Sequence, residues 1–229
     1  MHKVKVKICG ITNLADASTA VRLGADALGF IFAPSPRRIA PQTAREIIRA
    51  VPPFVKTVGV FVNEAPASIR KVINDCGLDL VQLHGDESPA LCDELMPYTI
   101  KALRIKDESS LQTGHAYHGK VRALLLDTYS KEKAGGTGKT FDWELAIKIK
   151  KQGTPIIISG GLAPSNIVAA IHTLRPYAVD VNSGVEERPG KKSPTLIRDL
   201  TEKVRQGTFS DSDPQWRKFI GIKAEEYRA

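Results

Sequence analysis

Val4-Lys5-Val6-Lys7-Ile8-Cys9-Gly10-Ile11-Thr12 opens the chain with a short β-prone run that ends on a thiol and a glycine. Asn13 follows as a cap for a helical pattern, so the stretch reads as strand, turn, helix. Alternation along the strand places Lys7 and Cys9 on the same face. Two later runs end in a comparable way: Leu124-Leu125-Leu126 stops on Asp127, and Ile156-Ile157-Ile158 stops on Ser159-Gly160-Gly161. Polar groups at the ends of several strands in one chain have a simple common cause, a parallel barrel with its site on that rim.

The rest of the chain keeps the same rhythm. Strands are expected over 4–8, 27–32, 58–62, 80–83, 100–105, 124–127, 156–159 and 178–181. Helices are expected over 13–23, 41–51, 66–76, 88–96, 143–151, 166–174 and 194–205, with a weaker one between 108 and 117. Gly24 and Gly77 stand where helices should stop, and Pro41 where one should start. Strand followed by helix, repeated eight times with short connections, predicts an α/β fold, a single (β/α)8 TIM barrel over 1–206 with a short C-terminal extension over 207–229. A doubly wound open sheet would place a glycine fingerprint after its first strand, and Cys9-Gly10-Ile11 lacks it. In the extension, Trp216, Phe219 and Ile220 fall near one helical face. That suits a segment covering the barrel, one meeting another chain, or a loosely held terminus.

Bulk properties narrow the classes. At 229 residues, 42% hydrophobic and 25% charged, the chain can build one sizeable core, and a barrel of about 250 residues is typical. No apolar run is long enough to cross a bilayer and no secretion signal is visible, so a cytoplasmic protein without a membrane partner is expected. Three cysteines, Cys9, Cys76 and Cys92, are an odd number without close pair spacing, which argues against disulfides and against a cysteine metal site. The formal charge of +8 is scattered and has no aromatic platform beside it, so a small anionic ligand is favoured and no nucleic acid is expected. No His or carboxylate pair stands at metal-ligand spacing, so neither metal nor cofactor is expected.

Several residues could carry chemistry. Ser159-Gly160-Gly161 and Asn182-Ser183-Gly184 follow the last two strands, where glycines let backbone N–H groups approach a phosphate; turn chemistry alone would explain either pair. Lys133 to Thr140 tempts a nucleotide-loop reading, but the P-loop pattern needs Gly where Lys133 stands, and a lid or linker fits 128–140 better. Cys9 at a strand end would face the mouth as base or nucleophile, although free cysteines are more often inert core residues. Lys7 would then lie in the barrel below it and need a carboxylate, for which Asp180 on the neighbouring eighth strand is the candidate; such a cation would lower the thiol pKa. Asp127, roughly across the barrel, could act as the acid opposite that base, its bland alternative being a cap or salt bridge. Arg38 could grip a carboxylate, Arg37 beside it reads as solvated, and His84 reads equally as a ligand contact or a loop anchor.

Taken together, Lys7-Ile8-Cys9-Gly10-Ile11-Thr12, Gly59-Val60-Phe61-Val62-Asn63, Val81-Gln82-Leu83-His84-Gly85, Leu126-Asp127, Gly136 to Trp143, Ser159-Gly160-Gly161-Leu162 and Asp180 to Glu186 resemble the phosphoribosylanthranilate isomerase family of tryptophan biosynthesis. The resemblance runs from Val4 to about Arg205. It implies a cofactor-free Amadori rearrangement of a phosphosugar carrying an anthranilate, by a monomer or homodimer. It places the family's base on Cys9, its acid on Asp127, the arginine for the anthranilate carboxylate on Arg38, and the phosphate on the loops after strands seven and eight. Asn182 stands where some relatives carry Ser. Two alternatives remain. One is a histidine-pathway aminoaldose isomerase, which would put an acidic residue in place of Cys9; the other is a catalytically silent barrel that only binds a phosphorylated ligand.

Overall fold

A computed structural model describes residues 3–105, 108–127, 143–150 and 153–207. Eight strands close into one ring in chain order: β1 (Lys5–Ile8), β2 (Ala27–Ile31), β3 (Lys56–Phe61), β4 (Leu80–Leu83), β5 (Thr99–Arg104), β6 (Ala123–Asp127), β7 (Ile156–Ser159) and β8 (Ala178–Val181). Every neighbouring pair is parallel, and β8 closes on β1 with Lys7 opposite Asp180. Between strands run α1 (Leu14–Arg22), α2 (Pro41–Arg49), α3 (Pro66–Cys76), α4 (Pro89–Glu94), α5 (Ser109–Ala116), α6 (Trp143–Lys150) and α7 (Ile167–Leu174), with α8 (Pro194–Gln206) after β8.

Local chemistry sets most of these boundaries. Asn13 caps α1 by accepting from the Asp16 backbone N–H at 2.8 Å, the kind of contact whose loss costs about 1 kcal/mol. Ser88 and Ser193 do the same for α4 and α8. Pro occupies the first turn of α2, α3, α4 and α8, where a missing N–H leaves nothing unpaired. Gly77 ends α3 in the left-handed region at φ 75°.

Strand alternation divides the apolar side chains into two layers. Val58, Ile100, Ala102, Ala123, Leu125, Ile157 and Ala178 fill the lower barrel interior. The larger layer, including Ile8, Phe30, Leu83, Leu124, Leu126 and Val181, lies between the strands and the helices. On β1, β4, β6 and β8 the inward positions turn polar above the apolar plug, and that change of character places the site.

The expected elements are all present among the described residues, with modest shifts at their ends. The helix expected over 88–96 ends at Glu94 because Leu95 and Met96 already turn toward Pro97. Asn166 lies before α7, its side chain accepting from the Ala163 N–H at 2.9 Å. A short 3-10 turn (Ser183–Val185) and a hairpin of β9 (Glu186–Arg188) and β10 (Lys191–Lys192), unforeseen in the sequence, follow β8. The loop over 128–140 and, apart from Gly207, the extension over 207–229 lie outside the described residues. No described helix is long and apolar enough to cross a membrane.

Candidate active site at the barrel mouth

Lys7 is the centre of the polar layer. Its Nζ donates to Asp180 Oδ1 and to Gln82 Oε1, each at 2.8 Å, and the lysine side chain is 4% exposed. β1 and β4 stand three strands apart in a ring of eight, so this one side chain crosses the interior. Burial works against its charge, yet Asp180, with Cys9 beside it, holds its pKa above the usual lysine value. The pairing of Lys7 with Asp180 is the one that strand closure predicts.

Cys9 continues the same face one step nearer the mouth and is buried. Gly29 on β2 makes room for it: a Cβ there would sit 2.7 Å from Sγ and 3.1 Å from Lys7 Cε. The sequence led us to expect a lowered thiol pKa; the structure reverses the direction. Burial pushes the Cys9 thiol above its ordinary 9.0, Lys7 pulls it down, Asp180 pushes it up again and Lys192 pulls more weakly. A lysine whose charge is already matched by a carboxylate cannot fully offset the desolvation of a second anion.

From Gln82 the polar path continues upward. Its Nε2 lies 2.8 Å from His84 Nδ1, and His84 Nε2 lies 3.3 Å from Asp127 Oδ2. Asp127 ends β6 and remains partly open to solvent, its side chain 20% exposed. Cys9, Lys7, Gln82, His84 and Asp127 therefore belong to one connected polar layer at the carboxyl ends of the strands. Gln82 is the member that sequence reading missed. Its signal was the alternation Leu80, Gln82, His84 on one face, with Gln82 the single polar residue of the otherwise apolar run Leu80-Val81-Gln82-Leu83.

The glycine loops sit on the same rim. Gly160 and Gly161 take φ 92° and 64°, conformations open to glycine at little cost. A Cβ on Gly184 would collide with the Leu162 carbonyl oxygen, so the loops after β7 and β8 touch backbone to backbone. Ser159 Oγ lies 3.5 Å from Asp180 Oδ2, joining that edge to the Lys7 cluster. Asn182 uses its side chain differently: Lys192 Nζ donates to Asn182 Oδ1 at 3.0 Å and to its carbonyl at 3.2 Å.

Arg38 is exposed on the loop after β2, its N–H donating to the Ser35 carbonyl. Arg37, which reads as solvated in the sequence, is engaged. Its guanidinium grips Glu186 through Nε at 2.9 Å and Nη2 at 2.7 Å, and Lys192 Nζ reaches the same carboxylate at 2.9 Å. The hairpin after β8 supplies both partners, and no local pattern announces a contact 149 residues apart. Among the described residues no group of three His, Cys, Asp or Glu side chains is arranged to hold a metal.

A closed parallel barrel with a thiol, a carboxyl and two glycine loops on the strand-end rim defines a (β/α)8 enzyme built for a small anionic ligand. Comparison with known proteins makes the class specific. The family model for N-(5'-phosphoribosyl)anthranilate isomerase matches residues 6–203. The chain is 50% identical over 203 residues to the N-(5'-phosphoribosyl)anthranilate isomerase of Geobacter sulfurreducens, covering 88% of this chain and 98% of that one. It superposes on the crystal structure of phosphoribosyl anthranilate isomerase from Thermotoga maritima with a TM-score of 0.81 at 45% identity, covering 89% and 99% of the two chains. A solved phosphoribosyl anthranilate isomerase in complex with reduced 1-(o-carboxyphenylamino)-1-deoxyribulose 5-phosphate gives 0.79 at 42% identity, covering 89% and 99%. The chain belongs to the N-(5'-phosphoribosyl)anthranilate isomerase family.

Proposed function

We propose that Cys9 is the general base and Asp127 the general acid of the reaction this barrel carries out. The activity is the isomerisation of N-(5-phospho-D-ribosyl)anthranilate to 1-(2-carboxyphenylamino)-1-deoxy-D-ribulose 5-phosphate, an Amadori rearrangement in tryptophan biosynthesis. Asp127 protonates the ribose ring oxygen as the ring opens to a protonated imine. Cys9 then removes the C2′ proton, and the resulting enolamine tautomerises to the ketone. The proton given up at Asp127 and the one gained at Cys9 balance, so no cofactor is required. The imine cation formed beside Sγ favours the thiolate, and a thiol whose pKa is raised by burial is the stronger base once ionised.

Arg38 would take the anthranilate carboxylate. Gly160, Gly161, Ser183 and Gly184 would hold the phosphate through backbone N–H groups, with Asn182 fixed below them by Lys192. His84 and Asp180 line the same mouth, the first against Asp127 and the second through Lys7. The observation that carries this reading is the polar path from Lys7, with Cys9 beside it, to Asp127 at one end of the ring. Such a path gives a base and an acid access to a single sugar.

The test is to follow the loss of phosphoribosylanthranilate fluorescence. Cys9→Ala and Asp127→Asn should each lower kcat by roughly 10²- to 10⁴-fold while the protein stays folded. Native turnover no faster than the Cys9→Ala control would refute the assignment.

A further inference from the structure

We propose that Gln82 is a positioning residue: it selects the His84 tautomer that carries its proton on Nε2, and thereby pins one oxygen of Asp127. This rests on the reading of Asp127 as the acid.

The reasoning starts from what cannot be reversed. Lys7 Nζ has only hydrogens to offer, so the Gln82 atom 2.8 Å away must be the amide oxygen. The opposite orientation would set an NH₂ group against an ammonium in a site where Gln82 is 1% exposed. Once the oxygen faces Lys7, the NH₂ faces His84, and Gln82 Nε2 donates to Nδ1 at 2.8 Å. Nδ1 is then an acceptor, and the ring proton of a neutral imidazole belongs on Nε2. That nitrogen is the one 3.3 Å from Asp127 Oδ2. A buried charge on β1 thus fixes, through an amide on β4, which ring nitrogen donates to a carboxyl group on β6.

The direct test is the ¹⁵N spectrum of histidine-labelled full-length protein, with His84 assigned by its loss in His84→Gln. The native spectrum should show the Nε2–H tautomer. Gln82→Glu keeps the shape and still accepts from Lys7, but sets an oxygen against Nδ1, so it should move the proton to Nδ1. A native Nδ1–H tautomer, or a spectrum unchanged in Gln82→Glu, would overturn the proposal. Kinetically, Gln82→Met should lower kcat roughly 10- to 100-fold with KM changed less than about twofold. In a His84→Ala background the same substitution should cost less than about twofold, because the path it serves is gone. An equal loss in both backgrounds would show that Gln82 acts elsewhere and sink the idea. The tautomer is read without substrate, so active Asp127→Asn protein beside the expected spectra would refute the acid assignment alone.

Discussion

Two buried lysines make the same contact for different ends. Lys7 on β1 and Lys101 on β5 each hold a carboxylate at 2.8 Å, Asp180 and Glu87 respectively, in pairs whose side chains are at most 5% exposed. Lys101 faces the helix layer. Its remaining hydrogens go to the Leu83 and Gly85 carbonyls, and Glu87 accepts from the N–H groups of Asn63 and Gly85. Tyr117 Oη donates to the Glu87 carbonyl at 2.7 Å. That cluster ties the loops after β3 and β4 to the barrel wall, and its bonds end on backbone. Lys7 faces the interior with a thiol beside it, and its bonds lead through an amide and an imidazole to a second carboxyl. Alternation along the strands decides which way each lysine points. The neighbours found there decide whether an ion pair is a clamp between loops or one end of a polar path across the barrel.

The sharpest way to break this contrast is to remove each lysine in turn. Lys7→Met and Lys101→Met both strand a buried carboxylate and should each destabilise the fold by about 3–5 kcal/mol, read from urea unfolding. Only Lys7→Met should also lower the kcat of the molecules that remain folded, by about 10²-fold. Equal kcat losses at matched folded fractions would erase the distinction.

Gly29→Ala probes the interior cluster without touching a charge. Its methyl group must displace Sγ or Lys7 Cε, at an expected cost of about 1–3 kcal/mol and a measurable drop in turnover. As a control outside both clusters, Gly77→Ala at the end of α3 meets no atom within 4 Å. It should change stability only through its positive φ, by about 1 kcal/mol, and leave turnover alone.

The pH responses should separate as well. Because Cys9 is held above 9.0, the thiolate fraction grows with pH through the neutral range. Activity on that limb should therefore rise with pH, and Cys9→Asp should flatten the limb there. For stability the relevant group is Glu87, whose folded pKa lies below its ordinary 4.5 even though burial opposes ionisation, because Lys101 and the backbone N–H groups outweigh it. The unfolded chain binds more protons in that window. The stability Glu87 contributes is then complete above about 4.5 and is lost as pH falls through the folded value. Glu186, held down by Arg37 and Lys192 against the same burial, behaves alike. The acid-induced loss should be smaller in Glu87→Gln, and an unchanged acid midpoint would contradict the clamp role.

How much of this was legible beforehand differs from residue to residue. Lys7, Cys9 and Asp127 stood out because period-2 alternation and an abrupt polar end to an apolar strand are local patterns. Asp180 was found because a closed ring makes the last strand the neighbour of the first. Arg37 was misread: its partner Glu186 sits on a hairpin of three- and two-residue strands, too short to leave a periodic trace. The direction of the Cys9 shift was also misread, since a cation nearby in sequence says nothing about how completely water is excluded.

By itself the order of residues determined the eight-fold alternation, the closure of β8 on β1, and the gathering of a thiol, a carboxyl and two glycine loops at one rim. These follow from short-range periodicity and chain connectivity. Folding in three dimensions alone decided that Gln82 joins Lys7 to His84 across 75 residues of separation from β1, that Lys192 is buried under Asn182, and that burial outweighs charge at Cys9. Hydrogen-bond partners and desolvation depend on atoms brought together from distant strands, and no window along the chain contains them.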